Sequence, residues 1–141
     1  MFAGSDTSSL SVTWILYLLS VYPDVQSRLR AELLSIALTV AFESLTQDEI
    51  ASLYAKIAEL PYLGNVIRET LRLIPPVHSS IRMATQDDII PTSTPVKLST
   101  PDGDYEEADN FLMPKGSCVH VPIKAFNLDR EVWGADGWQF K

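Results

Sequence analysis

The chain has 141 residues, of which 46% are hydrophobic, so it is long enough to form one compact domain with a core. Its 18 acidic and 11 basic residues give a formal net charge of −7, which has the wrong sign for a phosphate-backbone footprint and argues against nucleic-acid binding. The single cysteine, Cys118, excludes an internal disulfide framework and a zinc site built from several cysteines, and it fits a reducing compartment.

The N-terminal residues predict no signal peptide, because Met1-Phe2 lacks a basic region and a cleavage site. The longest apolar run, Leu10–Tyr22, is interrupted by serine and threonine and is too short to cross a bilayer. We therefore expect a buried core helix here and no transmembrane segment in the chain.

The first predicted helix covers Ser5–Tyr22 and is apolar nearly all round, which predicts that it is buried. Its start lies in the sequence AGSDTSS, residues 3–9, which is rich in weak helix formers. One interpretation is a plain N-cap, with Ser5 or Asp6 accepting hydrogen bonds from the first-turn amides. The other is a functional site built into the helix.

Three further helices are predicted before residue 76. The second starts at Pro23 and runs to Ile36; its apolar stripe is Val25, Leu29, Leu33 and Ile36, and Arg28, Arg30 and Glu32 point elsewhere. The third follows a capping box formed by Thr46 and Glu49. The fourth starts at Pro61 and is stopped by Pro75-Pro76; its predicted buried side is Leu63, Val66, Ile67, Thr70, Leu71 and Ile74.

After Pro76 the pattern changes to short β-prone runs separated by turn signals, notably Asp102-Gly103 and Pro114-Lys115-Gly116. We predict a small sheet of β-hairpins over residues 77–123, with the acidic run DGDYEEAD as a solvated hairpin tip. Residues 124–141 are predicted to be a loop-rich tail with one helical turn. The fold class is therefore mainly α with a small β-sheet, organised as a single domain whose residues 1–76 are helical. The three tryptophans, Trp14, Trp133 and Trp138, are expected to be core or packing aromatics.

Charged side chains mark the fourth helix and the run that follows it. Glu69 and Arg72 are three residues apart and can pair on one face of a strongly apolar helix; the alternative is an exposed pair that contributes almost nothing. Arg82 lies on a predicted strand and suits the clamping of a carboxylate, or it simply flanks the strand. Cys118 and His120 share a strand face, but two ligands do not make a zinc site, and we assign no metal site.

In this ordered set of motifs the chain resembles the cytochrome P450 family of haem-thiolate monooxygenases. The segment Ala3-Gly4-Ser5-Asp6-Thr7-Ser8 matches the Ala-Gly-x-Asp/Glu-Thr-Thr/Ser motif of the family's long central helix. The segment Glu69-Thr70-Leu71-Arg72 matches the Glu-x-x-Arg motif of a later helix. Arg82 follows in the expected order, and the tail DREVWGADGWQFK resembles the run into the family's Pro-Glu-Arg segment. The resemblance covers essentially all 141 residues and implies a partial P450 fold, from the second half of the central helix to the loop before the cysteine-ligand region.

The resemblance implies specific roles for these residues. Thr7 and Asp6 would be catalytic, with Thr7 turning its hydroxyl onto the carbonyl of Ala3 and Asp6 relaying protons. Ala3 and Gly4 would lie against haem b, and Arg82 would grip a haem propionate. Glu69 and Arg72 would be a structural ion pair bracing the proximal side. The substrate pocket would be lined by Val77, His78, Ser79, Ser80 and Ile81.

The sequence departs from the family pattern at the iron ligand. Cys118 has no Phe-Gly loop around it and is not the family's ligating cysteine, which we expect beyond Lys141. An arginine that would complete the Glu69–Arg72 network is expected there too. The chain is thus interpreted as a fragment that on its own is inactive.

For the parent protein, the resemblance implies insertion of one oxygen atom from O2 into a small lipophilic substrate, with electrons from NADPH through a reductase partner. It also implies an endoplasmic-reticulum membrane location on the cytosolic face. The rival interpretation is a non-catalytic helical interaction domain or a pseudogene product, in which these motifs have no chemical role.

Overall fold

The structure is a computed structural model that describes residues 2–36 and 44–141; the predicted helical part at 37–43 lies outside the described residues. The helices are α1 (Phe2–Val21), α2 (Pro23–Leu34), α3 (Gln47–Ala58), α4 (Pro61–Leu73), α5 (Ile123–Asn127) and α6 (Arg130–Trp133). The strands are β1 (Ser80–Met83), β2 (Asp88–Ser99), β3 (Tyr105–Met113) and β4 (Cys118–Val121). The predicted class, mainly α with a small β component, is confirmed.

The chain divides into two compact units. The first unit joins Met1–His78 to Ile123–Lys141 and contains all six helices of the described residues. The second unit is Ser79–Pro122 and contains the strands.

Helix α1 differs from the prediction at its start and in its burial. It begins at Phe2, so Ser5 and Asp6 lie inside the helix and the N-cap interpretation is wrong. Of the apolar residues at positions 4–21, whose burial the structure describes, only Leu18 is buried, whereas Leu16, for example, is 63% exposed. The prediction of a buried helix is therefore wrong for the described chain, because α1 packs on α2 and α4 along one side and its other sides stay open.

The starts of the other long helices follow the sequence signals. Pro23 and Pro61 occupy the first turns of α2 and α4, where a missing N–H costs nothing. Thr46 caps α3 in the predicted capping box: its backbone N–H donates to the Glu49 carboxylate at 2.8 Å, and its hydroxyl accepts from the Glu49 N–H at 3.4 Å. The carboxylate's hydrogen bonds, first with the Thr46 backbone and then with its hydroxyl, lower the pKa of Glu49.

The core of the first unit is small and joins the helices to the end of the chain. Its buried side chains are Leu18, Leu29, Val66, Leu73 and Phe140. Phe140 comes from the tail, and its ring centroid lies 5.2 Å from that of Tyr22. The apolar stripes of the second and fourth predicted helices indicated that Leu29 and Val66 are buried. Nothing in the local sequence predicted that Phe140 enters this core.

The second unit contains two separate two-stranded antiparallel sheets, so the single predicted sheet of hairpins is wrong. Strands β2 and β3 form a hairpin, and β1 pairs with β4 across the residues between them. The register of β2 shifts between Pro91 and Val96, a stretch whose prolines at 91 and 95 cannot donate ladder hydrogen bonds.

The turns of this unit were predicted better than its strand ends. Gly103 has a φ of +88° and donates its N–H to the Thr100 carbonyl, so the Asp102-Gly103 turn is confirmed. The acidic run extends past the tip, because Tyr105–Asp109 belongs to β3. Seven of the eight residues of the run are exposed, so the prediction that it is solvated is confirmed, but its assignment to the hairpin tip holds only for residues 102–104.

The tail of the first unit is more ordered than predicted, with α5 and α6 in place of one helical turn. Asp129 caps α6 by accepting the Glu131 N–H at 2.8 Å. Trp138 is 63% exposed and is not a core residue, whereas Trp14 is half-buried and packs edge-on against Tyr17 at 5.6 Å.

Candidate functional site

The turn that opens α1 carries hydroxyl groups bonded back onto the helix. The Thr7 hydroxyl donates to the carbonyl of Gly4 at 3.3 Å, within the same turn as the predicted acceptor Ala3. The Ser11 hydroxyl in turn donates to the Thr7 carbonyl at 2.7 Å. Such back-bonds draw carbonyl groups away from the helical ladder. The start of α1 is therefore a polar strip on an otherwise apolar helix.

This polar strip faces an open groove between α1 and α4 with a volume of about 390 Å³. Hydroxyls line one wall and apolar side chains the other; the lining residues are Thr7, Ser8, Ser11, Val12, Ile15, Ile67, Leu71 and Pro76. Ile67, predicted to be buried, is 37% exposed because it faces this groove. The groove can hold a ligand that presents both an apolar surface and an oxygen atom.

The remaining residues of the opening motif face solvent. Asp6 is exposed, and because it is adjacent to Thr7 in a helix the two side chains point about 100° apart. Gly4 is exposed, and a Cβ built on it has no heavy atom within 4 Å. The backbone of Ala3 lies in α1, and its side chain is outside the described residues. The backbone at Gly4 is therefore accessible.

Glu69 and Arg72 form an ion pair on α4. The Arg72 Nε and Nη2 donate to the two Glu69 carboxylate oxygens at 2.8 and 2.7 Å, which is the bidentate geometry that arginine favours. Arg72 is only 8% exposed, so the interpretation of an exposed pair is wrong. The hydrogen bonds to the Glu69 carboxylate raise the pKa of Arg72 and keep it charged.

The other donors of Arg72 tie the tail to α4. Its Nη1 donates to the carbonyls of Asn127, at 2.9 Å, and Gly137, and its Nη2 donates to that of Gln139 at 3.1 Å. With the two bonds to Glu69, all five N–H groups of the guanidinium are satisfied. The guanidinium also lies 4.7 Å from the ring centroid of Trp133. Arg72 is thus the organising residue of the tail.

The remaining predicted site residues are Val77 and His78 of the first unit and residues 79–82 of the second unit. Val77 and His78 are exposed in the first unit, and the His78 carbonyl accepts the Lys124 N–H at 3.0 Å. Ser79 and Ile81 are exposed and Ser80 is half-buried. Arg82 is an exposed residue of β1, opposite Val119 of β4.

Glu32 is a structural residue that sequence reasoning missed. Its two carboxylate oxygens accept the backbone N–H groups of Tyr62, at 2.9 Å, and Leu63, at 2.8 Å. Helix α4 follows Leu60, which offers no side-chain cap, so a carboxylate from α2 takes that place. The signal available in the sequence was the α4 start itself, which lacks a Ser, Thr, Asp or Asn.

Neither a metal cluster nor a membrane span is found in the part of the chain that the structure describes. Residues 2–36 and 44–141 bring no three His, Cys, Asp or Glu residues together as a candidate metal site. Among the helices of these residues, none has the length and hydrophobicity that crossing a bilayer requires.

Comparison with known proteins identifies the family. The sequence profile described as Cytochrome P450 matches residues 1–141. Cytochrome P450 monooxygenase 205 of Postia placenta is 39% identical over 99% of this chain and 23% of its own length. Cytochrome P450 monooxygenase claQ of Ampulloclitocybe clavipes is also 39% identical, over 99% of this chain and 24% of its own length. Ganoderic acid synthetase CYP5150L8 of Ganoderma lucidum is 36% identical, over 99% of this chain and 24% of its own length.

A solved structure agrees with this result. The crystal structure of the cytochrome P450 CYP102L1 superposes with a TM-score of 0.66 and 31% identity, over 99% of this chain and 26% of that one. The chain therefore spans about a quarter of the length of the proteins it matches. Because the family profile, the relatives and the superposition all extend over nearly every residue, the chain belongs to the cytochrome P450 family.

Proposed function

We propose that the protein to which this chain contributes is a haem-dependent monooxygenase acting on a lipophilic organic substrate. One oxygen atom of O2 enters the substrate and the other leaves as water, with two electrons from NADPH through a reductase and two protons. The observation that carries the proposal is the hydroxyl-lined groove at the start of α1, which coincides with the motif AGSDTS. The names of the relatives, which are monooxygenases, support the same reaction class.

The backbone at the start of α1 leaves room for a bulky group to approach closely at Gly4. A Cβ built on Gly4 meets no heavy atom within 4 Å, so this backbone is open to close approach. We propose that Ala3, Gly4 and Thr7 lie against one face of haem b and that Arg82 binds a propionate through its guanidinium. Haem, when bound, supplies the iron at which O2 is activated.

Thr7 and Asp6 have separate proton-handling roles in this proposal. The Thr7 hydroxyl holds a water molecule in the groove, beside the apolar side chains of α4. Asp6, which is exposed, exchanges protons with solvent and replenishes that water by general acid relay. Because the side chains of Asp6 and Thr7 point in different directions, we propose that the proton passes between them through water.

The Glu69–Arg72 pair has a bracing role. By satisfying three tail carbonyls and one carboxylate, Arg72 fixes the segment between Asn127 and Gln139 on α4. We propose that this order positions the chain that follows, where the family's ligating cysteine is expected. Residues 77–81 are proposed to line the substrate pocket, and the protein is proposed to act at the cytosolic face of the endoplasmic-reticulum membrane.

The proposal is tested in the full-length enzyme by replacing Thr7 with valine. Product formed per NADPH is expected to fall about 100-fold, the lower end of the range for losing a positioned proton donor, with hydrogen peroxide released instead. Thr13→Val is the matched control, since Thr13 is an exposed α1 residue whose hydroxyl donates to the Ser9 carbonyl at 2.8 Å. Unchanged coupling in Thr7→Val, or equal loss in Thr13→Val, contradicts the assigned role.

The isolated chain is expected to be inactive. Its one cysteine, Cys118, lies exposed on β4. We expect the reduced chain mixed with haem and carbon monoxide to lack the absorption band of a haem thiolate. Appearance of that band in the chain, and its loss in Cys118→Ser, would overturn this part of the proposal.

A further inference from the structure

One face of the β1–β4 sheet brings together three soft metal-ligating side chains. Met83 of β1 lies directly opposite Cys118 of β4, and Ile81 lies opposite His120. Because residues two apart on a strand share a face, Met83, Cys118 and His120 occupy neighbouring positions on the same side of the sheet. Cys118 and His120 are exposed, and Met83 is 65% exposed.

The backbone hydrogen bonds fix how close Met83 and Cys118 are. The Ala84 N–H donates to the Ser117 carbonyl at 2.9 Å, and the Ala84 carbonyl accepts the Gly116 N–H at 2.8 Å. Ala84 is thus a hydrogen-bonded position, and the next pair along the ladder is a non-hydrogen-bonded one. In such a pair the Cα atoms are only about 4.5 Å apart and the side chains are at their closest.

The chemistry of this ligand set favours one class of metal. A thiolate, a thioether and an imidazole are soft or borderline donors, which select copper(I) over the hard cations that carboxylates bind. Zinc prefers Cys, His, Asp and Glu ligands, and no cluster of three such residues occurs in residues 2–36 and 44–141. The thioether of Met83 therefore decides in favour of the softer ion.

We propose that Met83, Cys118 and His120 form a binding site for one copper(I) ion on the β1–β4 sheet. The site lies on the face opposite Arg82, whose side chain alternates to the other side of β1. It is therefore separate from the haem-binding role proposed for Arg82, and failure of either assignment leaves the other standing.

The proposal is tested by titrating the purified 141-residue chain with copper(I) under ascorbate, in competition with the chromogenic chelator bicinchoninate. One ion per chain is expected. Cys118→Ser is expected to lower the affinity about 100-fold, and Met83→Leu and His120→Asn about tenfold each, within the range of about 10- to 100-fold that changes to residues supporting metal ligands cost. Far-UV circular dichroism checks that these substitutions at exposed positions preserve the fold.

Matched controls use the same residue types elsewhere. Met113→Leu in β3 and His78→Asn in the first unit are expected to change the affinity by less than about twofold, because neither residue belongs to the cluster. If Met83→Leu and His120→Asn bind as tightly as the parent chain, Cys118 acts as a solitary thiol and the proposal is wrong. One ion for every two chains would likewise overturn it.

Discussion

Replacing Glu32 with alanine tests whether a carboxylate from α2 holds the start of α4. The substitution removes both acceptors of the Tyr62 and Leu63 N–H groups while leaving a good helix former in α2. It does not touch the core residues of either helix, so any loss of stability reports on the cap.

The expected magnitude follows from these two hydrogen bonds. Loss of a helix N-cap costs about 0.5–2 kcal/mol, and a hydrogen bond to a charged group contributes about 1.5–3 kcal/mol. Tyr62 and Leu63 are half-buried, so water restores part of what is lost. We therefore expect Glu32→Ala to lower the free energy of unfolding by about 2 kcal/mol.

Urea unfolding followed by far-UV circular dichroism measures the effect. With a slope of about 2 kcal/mol per molar urea, the midpoint is expected to fall by about 1 M. Glu32→Gln keeps one carbonyl acceptor without the charge and is expected to lose about half as much free energy. Glu59→Ala is the control: Glu59 is an exposed acid at the C-cap of α3, and its removal is expected to change stability by less than about 0.5 kcal/mol.

Two outcomes would refute this reasoning. If Glu32→Ala unfolds within about 0.5 kcal/mol of the parent chain, the carboxylate is not an effective cap. If Glu59→Ala is equally destabilising, the loss reflects the general charge balance and not the two hydrogen bonds at the start of α4.

Three further predictions concern the free energy of unfolding, measured in the same assay. Gly137→Ala is expected to cost about 1–3 kcal/mol, because the new Cβ would lie 2.8 Å from the Cβ of Trp133; an unchanged midpoint would contradict the packing described. Gly4→Ala is expected to stabilise the chain by about 0.5–1 kcal/mol, because Gly4 lies within α1 and the new Cβ would meet no other atom. A lower stability of Gly4→Ala would contradict the open surface described at this position. The hydrogen bonds with Thr46 hold the pKa of Glu49 below its ordinary value of 4.5, so their contribution is full above pH 4.5 and is lost as the pH falls through the lowered value. Glu49→Gln is therefore expected to flatten the acid side of the stability–pH curve, and an unchanged slope would contradict this assignment.

The local sequence was enough to locate the four long helices and several of their ends. Pro23, Pro61 and the Thr46–Glu49 capping box act on neighbouring residues, so their effects are readable without tertiary information. The Glu69–Arg72 pair is likewise local, because residues three apart on a helix always share a face. The motif order along the chain was also sufficient to identify the family, which the comparisons confirm.

What only the tertiary structure decided involves partners distant in sequence. The carbonyls that complete the Arg72 network lie 55, 65 and 67 residues along the chain, and Glu32 caps a helix that begins about 30 residues later. The pairing of Met83 with Cys118 depends on β1 and β4 meeting across the β2–β3 hairpin. Short-range periodicity encodes which face a side chain occupies, but it carries no information about which distant backbone or side chain meets that face. For this chain, the sequence determined the four long helices and the family, and packing determined which distant residues they meet.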